Sequence, residues 1–248
     1  MRAQSSGVIA AATAFLCAEG AAQAQMVPRA EHGAVPLILE PMEAFEPITV
    51  ARGERVFNER LTPRYVARMT EDAPERPRPG PLPGAAAGDL LYGVRLQTGF
   101  AYCQRIDVAA PNRTVQCYRD FDDNGTFDGG YVTEHNGFAT QVIPSLLHGL
   151  AGIPSVAFER ASPAAFGSVD GHWTFDRWRR GKARFHLFVE GQRLSDPMTC
   201  ELLDDHPGLC SLAGLALRIT ETSGGGATIT LAGQAERRLM MITTSGAF

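Results

Sequence analysis

The sequence predicts a mainly β fold, an antiparallel sandwich or barrel with one short helix and two disulfide-closed hairpins. Two observations set the class. Short runs rich in valine, isoleucine, threonine and aromatics recur between Gly, Pro, Asn and Asp clusters, as in "LLYGVRLQTGF", "TVQCYRDF", "ARFHLFVE", "LALRITET" and "ATITLAGQ". In "ARFHLFVE", Phe185, Leu187 and Val189 fall on one face, the period of a half-buried strand. Helical character is confined to "QVIPSLLHGLAG", where a short helix is expected to begin after Pro144. Many closely spaced strands with little helix are the pattern of a sandwich or barrel.

The elements follow in chain order. Residues 1–24 combine Arg2, an apolar run from Val8 to Ala18 and the small-residue signature Ala22-Gln23-Ala24, which reads as a secretory signal peptide cleaved after Ala24. The run is shorter than the roughly 20 residues a spanning helix needs, so a membrane-spanning protein is not expected. Residues 25–70, which include "PITVARGERVFNERL", are too few for a good core of their own and are expected to pack strands on the main body. Residues 71–89 carry prolines at 74, 77, 79, 81 and 83, a linker or exposed loop without a donor ladder. Residues 90–248 form the β-rich main domain.

Charge and composition narrow the partners. The chain carries a formal net charge of −4, and removing Arg2 with Glu19 leaves it unchanged. That argues against nucleic acid, whose phosphates call for a basic surface. Lys182 is the only lysine beside abundant arginine, alanine, glycine and proline, the coding bias of a GC-rich bacterium. With the leader, this implies a periplasmic or secreted protein.

Four cysteines follow the leader, Cys103, Cys117, Cys200 and Cys210, an even count that suits two disulfides in an exported chain. "YCQRIDV" and "RTVQCYR" flank "AAPN", so a hairpin centred near Ala110 sets Cys103 opposite Cys117. By the same argument a hairpin centred on Asp205 sets Cys200 opposite Cys210. Opposed residues of an antiparallel pair lie within disulfide reach. No pair has the close spacing of a zinc site.

The run "DFDDNGTFD" places oxygen-bearing side chains at alternate positions around a glycine. Asp120, Asp122 and Asn124 stand at positions 1, 3 and 5 of a calcium loop, Gly125 at 6, Thr126 at 7 and Asp128 at 9. Residues 120–128 thus resemble the calcium loop of EF-hand and dockerin-like proteins, and the resemblance implies calcium as the cation. It stops at position 12, where Tyr131 replaces the bidentate glutamate and Glu134 is the nearest substitute. The flanks read as strands, so the two-helix fold is not implied. The competing account is a hairpin with a type I′ turn at Asn124-Gly125 and capping aspartates.

A second stretch, "HWTFDRWRRGKARFHLF", sets Arg179, Arg180, Lys182 and Arg184 beside Trp178. Arginine with exposed aromatics suits an anionic glycan or lipid headgroup, which would make the chain an envelope-binding module. The alternative is a hairpin whose "RRGK" forms a solvated turn with Gly181 at the tight position, and whose Trp173 and Phe175 belong to the core.

No GxSxG, HExxH, phosphate-loop or dinucleotide motif is present, and the histidines are scattered without metal spacing. His206 and Asp205 in "DDHPG" are the best acid-base candidates, although Asp, Pro and Gly are also what a turn requires. No catalytic residue is assigned. The expectation is an exported structural or binding protein with a stabilising calcium loop. A hydrolase using separated carboxylates is a further alternative.

Overall fold

The computed structural model describes residues 31–75, 84–96, 99–105, 114–134, 138, 141–142, 151–194, 197–204, 208–236, 238–243 and 246–247. Strand dominates it at 64% with one short helix, so the mainly β expectation holds. The first strands are β1 (Glu31–His32), β2 (Ala34–Leu39), β3 (Ile48–Val50), β4 (Arg55–Pro63) and β5 (Val66–Met69). Next come β6 (Leu90–Arg95), β7 (Phe100–Gln104), β8 (Thr114–Arg119), β9 (Thr126–Glu134), β10 (Gln141–Val142) and β11 (Ala151–Ala161). After helix α1 (Pro163–Phe166) lie β12 (Val169–Arg179), β13 (Lys182–Val189), β14 (Gln192–Arg193), β15 (Met198–Thr199) and β16 (Glu201–Leu202). The chain ends with β17 (Leu209–Leu212), β18 (Leu215–Glu221), β19 (Ala227–Gln234), β20 (Arg238–Thr243) and β21 (Gly246–Ala247).

Six strands close into an antiparallel barrel in the order β6-β5-β11-β9-β8-β7, with β7 returning to β6. Closure leaves those strands without unpaired edges. The sheet continues outward from β6 through β2, β4, β12 and β13, and a separate five-stranded sheet runs β16-β17-β18-β19-β3. "PITVARGERVFNERL" does deliver strands to the body, since β3 pairs with β19 while β4 pairs with β12 and β2. The Pro-rich segment joins two strands that pair with each other, β5 and β6, and an Ala73–Ala85 bridge closes its near end. Residues 76–83 of that segment lie outside the described residues.

Alternation of apolar and polar positions turns one face of each strand inward. In β13 the buried residues are Ala183, Phe185, Leu187 and Val189, and in β12 they include Trp173 and Phe175. These share a core with Leu212, Leu215, Leu217 and Ile229, which packs the five-stranded sheet against the large one. A second cluster belongs to the barrel strands, where Phe127 stacks on Phe158 with centroids 4.1 Å apart and Tyr102 and Tyr118 lean on them. Gly93 of β6 sits under Tyr65, whose backbone carbonyl accepts its N–H at 2.8 Å. A Cβ at Gly93 would lie 2.7 Å from that of Tyr65, so no larger residue fits there without displacement.

Buried within the larger core is an ion pair. Arg238 of β20 donates to both carboxylate oxygens of Glu59 on β4, Nη2 to Oε2 at 2.7 Å and Nη1 to Oε1 at 3.2 Å, and both side chains are 1% exposed. Arg238 also donates to the carbonyls of Ala213 and Glu40, each at 3.1 Å, while Trp173 Nε1–H reaches Glu59 at 3.4 Å. Burial raises the Glu59 carboxyl above its ordinary value, opposed by Arg238 and Trp173.

Both disulfides form as paired from the sequence, Cys103 with Cys117 and Cys200 with Cys210. The first sits at directly opposed positions of β7 and β8, as the hairpin symmetry requires. The second departs from the expected register. Leu202, not Cys200, stands opposite Cys210, and Glu201 stands opposite Ser211. The reason is that Cys200 still belongs to the other sheet: its N–H donates to the Ala183 carbonyl, continuing the β15–β13 ladder. This bridge therefore ties the large sheet to the five-stranded one, with Cα atoms 5.4 Å apart.

Of "QVIPSLLHGLAG", where a short helix is expected after Pro144, the two ends belong to strands β10 and β11, and residues 143–150 lie outside the described residues. The described helix is α1, which begins with Pro163, has Ser162 before it and buries Phe166. Phe166 meets Tyr92 edge to face at 6.0 Å, so one turn suffices to cover that end of the core.

Candidate functional site

The acidic loop connects β8 to β9 at one end of the barrel. Ligand oxygens of Asp120, Asp122 and Asp128 lie within 4.8 Å of one another, Asp120 and Asp128 half-buried and Asp122 exposed. Local hydrogen bonds hold this arrangement. Asp120 accepts the backbone N–H of Asn124 at 3.2 Å and of Gly125 at 2.9 Å, and Asp128 accepts that of Phe121 at 3.2 Å. Asn124 Oδ1 accepts from Thr126 N–H at 2.8 Å and from its hydroxyl at 2.6 Å, while Asn124 Nδ2 donates to Asp122 at 2.9 Å. All five residues singled out from the sequence therefore meet in one loop.

The loop is not the two-residue type I′ turn of the competing account. Positive φ occurs at Asp123 (57°) and Gly125 (86°) and not at Asn124, and Arg119 pairs with Gly129, so the connection is longer. The bulge between Gly152 and Val156 on the neighbouring strand brings a further oxygen, Ser155 Oγ, to 3.1 Å from Thr126 Oγ1 and 3.4 Å from Asp128 Oδ1. Nothing in the sequence marks Ser155, because only the β9–β11 pairing carries it there. Asp123 points away, toward Arg160 at 3.9 Å.

Position 12 contributes nothing. Tyr131 is buried opposite Cys117, and Glu134 lies opposite Thr114 at the far end of the β8–β9 ladder. From Asp128 that is six residues of strand, or roughly 20 Å. What the loop offers is hard oxygen ligands without nitrogen or sulfur, a donor set suited to calcium or magnesium rather than to a transition metal.

The arginine and tryptophan stretch is the expected β12–β13 hairpin. Arg180 (φ 52°) and Gly181 (φ 75°) form its two-residue turn between Arg179 and Lys182. Left-handed φ at both positions is what a tight hairpin demands. Trp178 pairs with Ala183 on the inner face and packs against the core. It is thus divided from the cations, with Arg179 and Arg180 exposed at the tip and Lys182 bound to Glu201 at 2.9 Å. Arg184 is half-buried on the outer face. Asp205 and His206 lie outside the described residues.

A cavity of about 480 Å³ opens on the same outer face, lined by Arg55, Asn58, Arg60, Asp170, His172 and Glu190 among others. Burial holds the Glu190 carboxyl above its ordinary value and the His172 imidazole below its own, with Arg55 adding to the latter. The His172 ring stacks on Phe188 with centroids 4.9 Å apart, so the imidazole is committed to packing.

Fold and loop together define a disulfide-bonded β-barrel protein with an oxygen-rich surface loop. Two disulfides fit an oxidising environment outside the cytoplasm, and among the described residues no helix is long and apolar enough to cross a membrane. No protein-family model, curated protein or solved structure matches the chain.

Proposed function

We propose that this is an exported bacterial β-barrel protein, periplasmic or secreted, with a structural or binding role, and that its β8–β9 loop binds calcium to brace that end of the barrel. The observation that carries the reading is the convergence of Asp120, Asp122 and Asp128 within 4.8 Å. Like charges at that separation repel, and a divalent cation turns the repulsion into attraction. Asn124, Thr126 and Ser155 supply neutral oxygens beside them. Because the loop joins two barrel strands, the ion's effect is on the stability and rigidity of the surface it presents.

Thermal unfolding of the protein in excess EDTA, then in calcium, tests this. At a calcium concentration 100 times the dissociation constant the linkage is about 2.7 kcal/mol. For a chain of this size that is a rise of roughly 5 to 10 °C. The Asp120→Asn, Asp122→Asn double variant should lose the rise. An equal rise in the double variant, or none in the wild type, would leave the loop a turn.

A further inference from the structure

On the outer face of β12 and β13, Arg177 stands directly opposite Arg184 in the ladder. Like charges at opposed positions repel, their Cβ atoms about 5 Å apart. The face around them is cationic, with Arg52, Arg55 and Arg193 nearby and Asp176 as the buried carboxylate among them. A bulge between Phe175 and Arg177 turns Asp176 and Arg177 to this side together. Asp176 is already shared: its Oδ2 lies 3.2 Å from Arg177 Nε, and its Oδ1 lies 3.5 Å from Arg52 and 3.9 Å from His186.

That leaves Arg184 uncompensated. Among the described residues it has no ion-pair partner, and its buried Nε has no hydrogen-bond partner. Two residues along the same face, His186 Nδ1 is buried and likewise unpaired. A guanidinium is always charged, so its buried donor asks for an acceptor. Strand geometry sets Arg184 and His186 roughly 7 Å apart at Cα, with Arg177 across the ladder, a gap that one tetrahedral oxyanion can bridge.

We propose that Arg177, Arg184 and His186 form an oxyanion site that takes a phosphate group. The Nη edge of Arg184 binds two of its oxygens, the Arg177 charge lies across from it, and a turn of the His186 ring brings Nδ1–H, closed to solvent in the unliganded fold, to a third. The site is separate from the acidic loop, and its failure or success leaves the calcium reading untouched. It also differs from the turn cations Arg179, Arg180 and Lys182, which stand out in solvent or pair with Glu201.

Calorimetric titration of inorganic phosphate into the protein at low ionic strength, beside phosphatidylglycerol vesicles, tests the site and identifies the source of the phosphate. Saturable binding of either probe, weakened about tenfold or more in Arg184→Gln and unchanged in Arg218→Gln, is the expected result. Arg218 is exposed on the five-stranded sheet. Binding of free phosphate assigns a soluble ligand, and binding of vesicles alone assigns a headgroup. Because Arg184→Gln also relieves the repulsion with Arg177, its melting temperature without phosphate should equal or exceed that of the wild type. A second variant, Arg177→Gln, guards against a local folding defect, and the His186 ring resonances should shift with phosphate. No saturable binding of either probe, or equal affinity in Arg184→Gln, overturns the proposal.

Discussion

Replacing Arg238 with Met should cost about 3 to 5 kcal/mol at neutral pH, the penalty of leaving a buried charge without its partner. The magnitude follows from what the guanidinium holds. It supplies both hydrogen bonds to the Glu59 carboxylate and serves the carbonyls of Ala213 and Glu40, at a site where both charged side chains are 1% exposed. Methionine keeps much of the aliphatic stem, which packs beside Gly214, so the loss reports charge and hydrogen bonding rather than a void. In the wild type, burial already lifts the Glu59 carboxyl above 4.5. A raised carboxyl contributes its full stability below the unfolded value and loses it as pH rises through the folded one. Without Arg238 the opposing attraction is gone and the folded value climbs further, so the variant should suffer more at about pH 8 than at about pH 5. Thermal unfolding with the disulfides intact, at both pH values, measures this, with a fall in melting temperature of roughly 6 to 20 °C at the higher pH. Glu59→Leu in the same chain should recover most of the loss. A penalty independent of pH, or a coupling between Glu59 and Arg238 below about 1 kcal/mol, would refute the reasoning.

Gly93→Ala should destabilise by about 1 to 3 kcal/mol, since the new Cβ would lie 2.7 Å from that of Tyr65; chemical denaturation reads it, and a neutral result would mean that Tyr65 gives way freely. The paired Cys200→Ser, Cys210→Ser variant should lose about 2 to 3 kcal/mol from the chain-entropy of the short closed loop. Because this bridge joins two sheets, hydrogen exchange should quicken in β15 to β17 more than in β7 and β8. Burial, followed by Arg193, depresses the His186 imidazole below its ordinary 6.5 although Asp176 pulls the other way and Arg184 and Arg177 add to the fall. A depressed group contributes stability above its unfolded pKa and loses it as pH falls through the folded value. Wild type should therefore weaken more steeply than His186→Gln between about pH 7 and pH 5, as urea midpoints at each pH would show.

Elements whose information is local were the legible ones. Cys103 and Cys117 belong to neighbouring strands around a short connection, so symmetry about Ala110 placed them correctly. The β12–β13 hairpin was readable from Gly181 and from the alternation of Phe185, Leu187 and Val189. The same symmetry misplaced Cys200 because the chain changes sheets at that residue, and no local pattern signals a change of partner. The β5–β11 pairing that completes the barrel, the Glu59–Arg238 pair and Ser155 beside the acidic loop all depend on distant pairings. In the arginine stretch, proximity in sequence concealed opposite facing: the bulge after Phe175 sends Trp178 to the core and Arg177 outward.

The pairing of β2 with β20 has a bearing on how the chain is made. Residues 34 to 39 lie against residues 243 to 238 along the whole of both strands, so nearly the first described segment finds its neighbour in nearly the last. Contacts this far apart in sequence slow folding, because the loop must close before they form. Until residues 238–243 emerge from the ribosome, the growing chain carries an apolar strand, "AVPLIL", without that neighbour along one edge. Chains stalled or clipped before Arg238 should consequently associate with one another through that edge more readily than chains that carry β20.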